Sequence, residues 1–565
     1  MISSDAPTRW IENSATRGMV ASPHALASQS GLAVLREGGN AVDAAIAAAA
    51  TIAVVYPHMN GVGGDNFWLI HDGRAGRVRA LCGAGRSAAA ASIGWYAARG
   101  TTEAIPTRGG PAAVTVPGAV DGWWEAHRFS RAALASPIGW PRLLEDAIAY
   151  AAEGFSPSRS QRTPPPREPD LFGEGALDQV RRGLWPSYHP DALASGLLVQ
   201  RDLARTLEAI RDGGPDGFYR GEVGRRVCAA LAAAGSPLEA ADFADYRSEW
   251  VEPLRVAFAG GEALSFPPPT QGMSALAILA MAERFDLRAL EESDYVHVLV
   301  EATKLAFVDR DRHLTDPAAM RVSPAELLAP ERLARVATLI SRRRAMASEG
   351  AAAAIDGLFT PPASGAPAAS PAAGGDTIAI VAADAQGNAV SLIQSLYFTY
   401  GSGLVAGDTG VILQNRGSFF SLDPRQANAL APRKLTMHTL IPGMYLRDGG
   451  ARFVSGTMGG EGQPQTQAAL LTRRLLRGLG AQACVEAPRW LSGRTWGAAT
   501  RALSVEGRYP ADLVRDLEAR GHRDVRMGGQ WDDLFGHAQC IWIARQGGGL
   551  TGGSDPRADG AALGF

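Results

Sequence analysis

The stretch Gly374–Gly375–Asp376–Thr377 holds the residue types of a chain that cuts itself. A side-chain hydroxyl is a weak nucleophile unless a base removes its proton. A threonine that becomes a new chain terminus brings its own base, because its freed α-amine has a pKa of roughly 7.7–8.0. Such a threonine must sit at the start of a strand and follow a dispensable segment. Thr377 begins the apolar run "TIAIVAAD", and the tether 350–375 before it is mostly Ala, Pro, Ser and Gly. The glycines allow backbone angles that aim the Thr377 hydroxyl at the Asp376 carbonyl, and the tether lets the severed end move away. On position alone, Thr377 also fits a β-branched residue that merely starts a strand.

Gly459 and Gly460 form a second constellation, between an apolar strand pattern and a helical one. Two adjacent N–H groups near a helix N-terminus suit an oxyanion, because they are preorganised and the helix dipole favours negative charge. A plain strand-to-helix turn reads the same way.

The elements that must position these groups are legible in outline. Residues 19–56 read as a short strand and two helices, with Ser22 capping the first, Gly38 and Gly39 stopping it, and Asn40 capping the second. "GGDNFWLIHDGRAGRVRAL" alternates like a hairpin, and "NGVGGD" (60–65) reads as a turn. "SPSRSQRTPPPREPD" (156–170) is a Pro-rich loop, followed by helical segments to about residue 345. "EALSFPPPTQGMSALAILAMAERF" is a strand end, a turn and a helix. The tether lacks the apolar surface to fold alone. Beyond it, "TIAIVAADAQGNAVSLIQSLYF" and "TLIPGMYLRDGGARFVSG" are strand–turn–strand patterns, and helices start near Gln463 and Pro510. Helices, then strands, then helices predict stacked sheets covered on both sides.

Composition narrows the function classes. At 565 residues the chain exceeds a single-core size, and 46% hydrophobic with 20% charged residues describes a globular protein. A net charge of −2 gives no field toward nucleic acid or an acidic membrane. Cys82, Cys228, Cys484 and Cys540 lie far apart without a CxxC pair, as reduced thiols do. "MISSDAPTRWIENSATRG" has no apolar h-region, and the apolar run Ala44–Tyr56 is too short to span a bilayer. A cytoplasmic protein without nucleic-acid or membrane partners is expected. No HExxH, P-loop or Rossmann fingerprint is present.

"SLIQSLYFTYGSGLVAGDTGVILQNRGSFFSLDP" and "GTMGGEGQPQTQAALLTRRLL", with residues 19–75, resemble the γ-glutamyltranspeptidase family of N-terminal nucleophile hydrolases. The resemblance runs through nearly the whole chain and is most specific over 375–475. It implies an α+β fold, the four-layer αββα sandwich, divided into a large subunit, 1–376, and a small catalytic subunit, 377–565. These would stay together as a non-covalent heterodimer, with a dimer of such pairs left open. It also implies that Thr377 is the nucleophile released by cleavage after Asp376. Ser395 falls on a supporting hydroxyl residue, and Gly459 and Gly460 fall on the oxyanion-hole pair. No metal or organic cofactor is required. An uncleaved ligand-binding relative is the rival from another class, against which stands the retention of Thr377, Ser395 and the glycines.

The departures fall together on the pocket that holds a γ-glutamyl group in the family. The carboxylate-binding Arg falls near Ala84, with Arg86 two places on, and the acid that pairs the α-amine falls at Phe419. Paired serines become His438 and Thr439, an Asn becomes Tyr397 and a Gln becomes Arg416. Phe cannot stabilise an ammonium. The pattern is similar to the branch containing oxamate amidohydrolase: a short acidic acyl group without a free amine, bound by Arg416, His438 and Arg86. Glutathione-type γ-glutamyl transfer or hydrolysis and glutaryl-cephalosporin acylase chemistry are the alternatives.

Overall fold

Alternation along the strands decides the architecture. In β8 (Gly375–Asp384), Ile378, Ile380 and Ala382 face one side, and Ala379, Val381 and Ala383 the other. All six are buried, so this strand needs an apolar layer on each face. β3 (Asp65–Asp72) repeats the pattern, with Phe67 and Leu69 opposite Trp68 and Ile70. The computed structural model describes residues 8–162, 184, 188, 196–359, 375–493, 500–544 and 549–565.

Two seven-stranded sheets meet that demand. The first runs β17 (Ala561–Gly564), β2 (Gly18–Ser22), β8, β9 (Ala389–Phe398), β3, β4 (Arg77–Gly83) and β5 (Glu249–Val251). The second runs β1 (Asn13–Ala15), β16 (Leu550–Ser554), β15 (Ala538–Ile543), β11 (Gly450–Thr457), β10 (Gly443–Arg447), β7 (Gly261–Ser265) and β6 (Leu254–Phe258). They stack through Met19, Phe67, Val381 and Ile393 from the first and Leu264, Met444, Val454 and Ile541 from the second.

Helices α1 (Ala25–Arg36) and α2 (Ala41–Val55) lie on the outer side of the first sheet. α2 is buried along its whole length, and its alanines let it lie flush on the strands. The outer face of the second sheet is covered by α3 (Gly272–Ala282), α4 (Glu292–His313) and α5 (Gln463–Leu475). The result is a four-layer αββα sandwich, as the resemblance implied. β12 (Trp490–Ser492), β13 (Leu503–Val505) and β14 (Val525–Met527) form a small third sheet.

The hairpins β3–β4, β8–β9 and β10–β11 fall where the alternating and strand–turn–strand patterns placed them. Asn40 caps α2 in a full capping box: its Oδ1 accepts from Val42 and Asp43 N–H, and Asp43 accepts from Asn40 N–H at 3.0 Å. The cap of α1 is corrected. His24, not Ser22, holds it, with Nδ1 accepting from Leu26 N–H at 3.3 Å, because Ser22 still belongs to β2. The tether is also corrected. Ser348–Leu358 is a helix burying Ala351 and Ile355, as its alanines favour. The rest of the tether, 360–374, lies outside the described residues, as do 163–170 of the Pro-rich loop and residues 1–7.

Candidate active site

A break in strand register creates the centre of the site. β8 and β9 pair Asp376 with Tyr397 and Ile378 with Gln394, so Ser395 and Leu396 together oppose Thr377 alone. This bulge re-aims side chains that a regular ladder would send to opposite faces. The Thr377 hydroxyl donates to Ser395 Oγ at 3.1 Å, and Ser395 Oγ donates to the Asp376 carbonyl at 2.6 Å. Tyr397 N–H donates to the same Oγ at 2.8 Å. One donor and two acceptor directions of Ser395 are thereby used. Ser395 thus polarises the carbonyl on the N-terminal side of Thr377 and orients its hydroxyl. Tyr397 sits at φ 82°, a conformation that costs about 1–3 kcal/mol and clusters at functional sites.

Asp376 is buried, and desolvation pushes its carboxyl up to about 7 against a hydrogen bond from Thr399 and the charge of Arg108. Arg108 in turn donates to the Thr399 carbonyl at 2.7 Å and to that of Gly401, fixing the turn after β9.

Arg416 lies on a short helical turn whose start is tied to the end of β9. Asn415 N–H donates to Leu396 O, and Asn415 Oδ1 accepts from Phe398 N–H. The guanidinium is wholly buried and packs over Tyr397, 4.2 Å from the ring centroid, with Phe419 at 5.7 Å. The two rings lie 4.7 Å apart. Nη1 donates to Thr439 Oγ1 at 3.2 Å, while Nε and Nη2 have no partner. Burial lowers its pKa to about 10 although Tyr397, Asp65 and Glu461 oppose this, so it stays charged.

His438 and Thr439 precede β10. His438 is buried, with Nε2 at 3.4 Å from Asp65 Oδ2 and neither ring nitrogen in a hydrogen bond. Desolvation, reinforced by Arg416, holds the ring neutral. Gln271 ties this segment to the glycine pair: its Nε2 donates to Thr439 O at 3.0 Å and to Gly460 O at 2.9 Å. Gly459 (φ 141°) and Gly460 (φ 52°) take conformations that side chains disfavour, and lead through a short turn into α5. Their N–H groups precede the helix's own ladder. A continuous chain of contacts therefore runs from Thr377 through Ser395, Tyr397, Arg416, Thr439 and Gln271 to Gly460.

Arg86 is placed elsewhere. Its guanidinium pairs with Asp316 at 2.9 Å and Glu249 at 3.4 Å, beside a cavity of about 200 Å³ that Ala84 and Val116 also line. Asp65, Gln271, Gln414 and Arg108 were not singled out by sequence. Asp65 ends the glycine-rich "NGVGGD"; an acid opening a buried strand was the signal available. Its Oδ1 accepts from Gly118 N–H at 3.0 Å, Gln414 Nε2 at 2.9 Å and Gly85 N–H at 3.4 Å. Away from this site, His297, Glu301 and His522 have metal-ligating types close together. They are joined in a hydrogen-bond chain with Lys304 and the Ser341 carbonyl.

Burial pushes the Asp65 carboxyl up to about 7 against Arg416, Gln414 and two backbone N–H groups. Unfolded Asp titrates near 3.9, so from about pH 4 to 7 the folded chain holds a proton that the unfolded chain has released. Stability falls as pH rises through that window. Asp65→Asn escapes this loss. Its melting temperature relative to the parent should climb between about pH 4 and 7 and then level off. A difference independent of pH would show that Asp65 titrates as an ordinary carboxylate.

The family model for gamma-glutamyltranspeptidase matches residues 27–565. The glutathione hydrolase-like YwrD proenzyme of Bacillus subtilis is 41% identical, over 97% of this chain and 99% of its own. The oxamate amidohydrolase proenzyme of Klebsiella pneumoniae is 40% identical, over 98% and 99%. The crystal structure of a cephalosporin acylase from Bacillus halodurans superposes with a TM-score of 0.85 at 32% identity, covering 100% of this chain and 98% of that one. Among the described residues no helix is long and apolar enough to cross a membrane. Relatives named as hydrolases and acylases mark the chain as an amidohydrolase or acyltransferase, and it belongs to the γ-glutamyltranspeptidase family.

Proposed function

We propose that the chain is a proenzyme that cleaves before Thr377 and then hydrolyses the amide of a short acid, such as oxamate. The carrying observation is Arg416: a buried charge over Tyr397, whose N–H bonds the Thr377 partner Ser395, with Nε and Nη2 both unpartnered. An unpaired buried cation is costly unless a ligand completes it. A carboxylate meets two parallel guanidinium N–H groups well. The tilted Tyr397 and Phe419 rings pack against it, and their bulk suits a small acyl group.

In the first stage Thr377 Oγ attacks the Asp376 carbonyl, polarised by Ser395. The acyl group shifts from nitrogen to oxygen, and water splits the ester. Residues 1–376 and 377–565 remain associated, consistent with relatives named as proenzymes. In the second stage the α-amine of Thr377 takes the hydroxyl proton and the oxygen attacks the substrate amide. Gly459 and Gly460 N–H groups hold the oxyanion, ammonia leaves, and water releases the acid.

One observation favours a second reading, hydrolysis of a γ-glutamyl amide: Asp65 Oδ2 could take an α-ammonium if His438 gave way. Parallel assays decide between them. Ammonia release from oxamate should exceed anilide release from γ-glutamyl anilide. The reverse order, with no oxamate turnover, would restore the γ-glutamyl reading.

A further inference from the structure

We propose that Asp65 is a positioning residue that keeps the His438 proton on Nε2, so that Nδ1 accepts an N–H of the substrate's amide nitrogen and the site favours a primary amide over the ester of the same acid. This rests on the short-amide reading above. Asp65 Oδ1 is saturated by Gly118, Gly85 and Gln414, which leaves Oδ2 facing His438 Nε2 at 3.4 Å, with neither of these two atoms in a hydrogen bond. An ionised carboxylate only accepts, so its charge favours the tautomer with the proton on the nitrogen that faces it. The other nitrogen, Nδ1, is then a lone-pair acceptor, buried and without any partner. A buried acceptor left unpaired calls for a donor from outside the protein.

The backbone that carries the ring is held on both sides. His438 N–H donates to Pro269 O at 2.8 Å, its carbonyl accepts from Gln271 N–H at 3.0 Å, and Phe67 packs on it edge-on at 4.8 Å. Its neighbour Thr439 touches Arg416 through its hydroxyl and Gln271 through its carbonyl, and Gln271 also holds Gly460. His438 therefore belongs to the segment between the carboxylate partner and the oxyanion donors. A primary amide beside a carboxylate offers three features: an anion for Arg416, a carbonyl oxygen for the glycine N–H groups and an NH₂ for Nδ1. An ester presents an acceptor oxygen where the NH₂ would be, and faces the Nδ1 lone pair unfavourably.

Asp65→Asn reverses the polarity. The Asn Oδ1 keeps the backbone donors, its Nδ2 donates to His438 Nε2, and the ring proton moves to Nδ1. The test compares kcat/KM for oxamate and for monomethyl oxalate, which keeps the carboxylate and replaces the amide NH₂ by a methoxy group, at about pH 8.5, where Asp65 is ionised. Cleavage into two chains confirms that the variant folds. The amide-to-ester ratio should fall by about tenfold or more, the scale of one buried hydrogen bond lost or reversed. His438→Met, which removes the acceptor, should lower the same ratio and carries the test if Asp65→Asn misfolds. A parent-like ratio in the variant that folds would overturn the proposal, since a merely structural loss lowers both substrates together. No oxamate turnover by the parent would instead overturn the short-amide reading itself.

Discussion

Replacing Thr377 with Ala should leave one uncut 565-residue chain with no measurable amidase activity. In the proposed mechanism the hydroxyl acts in both stages, first on the Asp376 carbonyl and then on the substrate, so its loss stops both. The parent should give two fragments, 1–376 and 377–565, by intact mass, co-eluting under native conditions. Parent protein that is fully active as a single chain would defeat the mechanism. Ser395→Ala separates orientation from chemistry. Losing the donor to the Asp376 carbonyl, 2.6 Å away, removes a group equivalent to one oxyanion donor. Such a donor supports a rate factor of about 10²–10³. The fragments should therefore appear more slowly but at the same bond. Cleavage at the parental rate would assign Ser395 a purely structural part.

Arg416→Met should abolish most substrate use while leaving autocleavage and fold intact. Truncating one partner of a buried charge pair costs about 2–5 kcal/mol, or roughly 30- to 5,000-fold in kcat/KM. From sequence alone, a single charged hydrogen bond would suggest only about 1.5–3 kcal/mol. Complete burial of the guanidinium raises the expectation. Stability should move the other way. Among the described residues no carboxylate reaches Arg416 within ion-pair distance, and replacing such a buried charge with an apolar side chain is neutral or stabilising. The variant should melt no lower than the parent in a thermal scan without substrate. Unchanged oxamate kinetics would remove Arg416 from the site, and a large drop in melting temperature would make its role structural.

The sequence by itself determined the parts whose information is local. Period-two alternation placed β3–β4, β8–β9 and β10–β11, because a strand buried on both faces or one must alternate its side chains. Asn40 followed by Asp43 specified a capping box within four residues. Thr377 after an Ala-, Pro- and Gly-containing tether, and Gly459–Gly460 before Gln463, stand out as candidates because backbone freedom and strand starts leave signatures in neighbouring residues. The tertiary structure decided what depends on register and on distant segments. The bulge that sets Ser395 and Leu396 against Thr377 arises from pairing across β8 and β9, which no local pattern counts. Arg86 and Arg416 are both arginines in glycine-containing turns, yet one is half-exposed and paired with Asp316 and Glu249 while the other is sealed over Tyr397. Asp65 read as the end of a turn, and only the approach of β3 to the segment before β10 set its Oδ2 against His438. A side chain's partners are fixed by where remote chain segments pack, because charge and hydrogen bonding act through space over a few ångströms and not along the sequence.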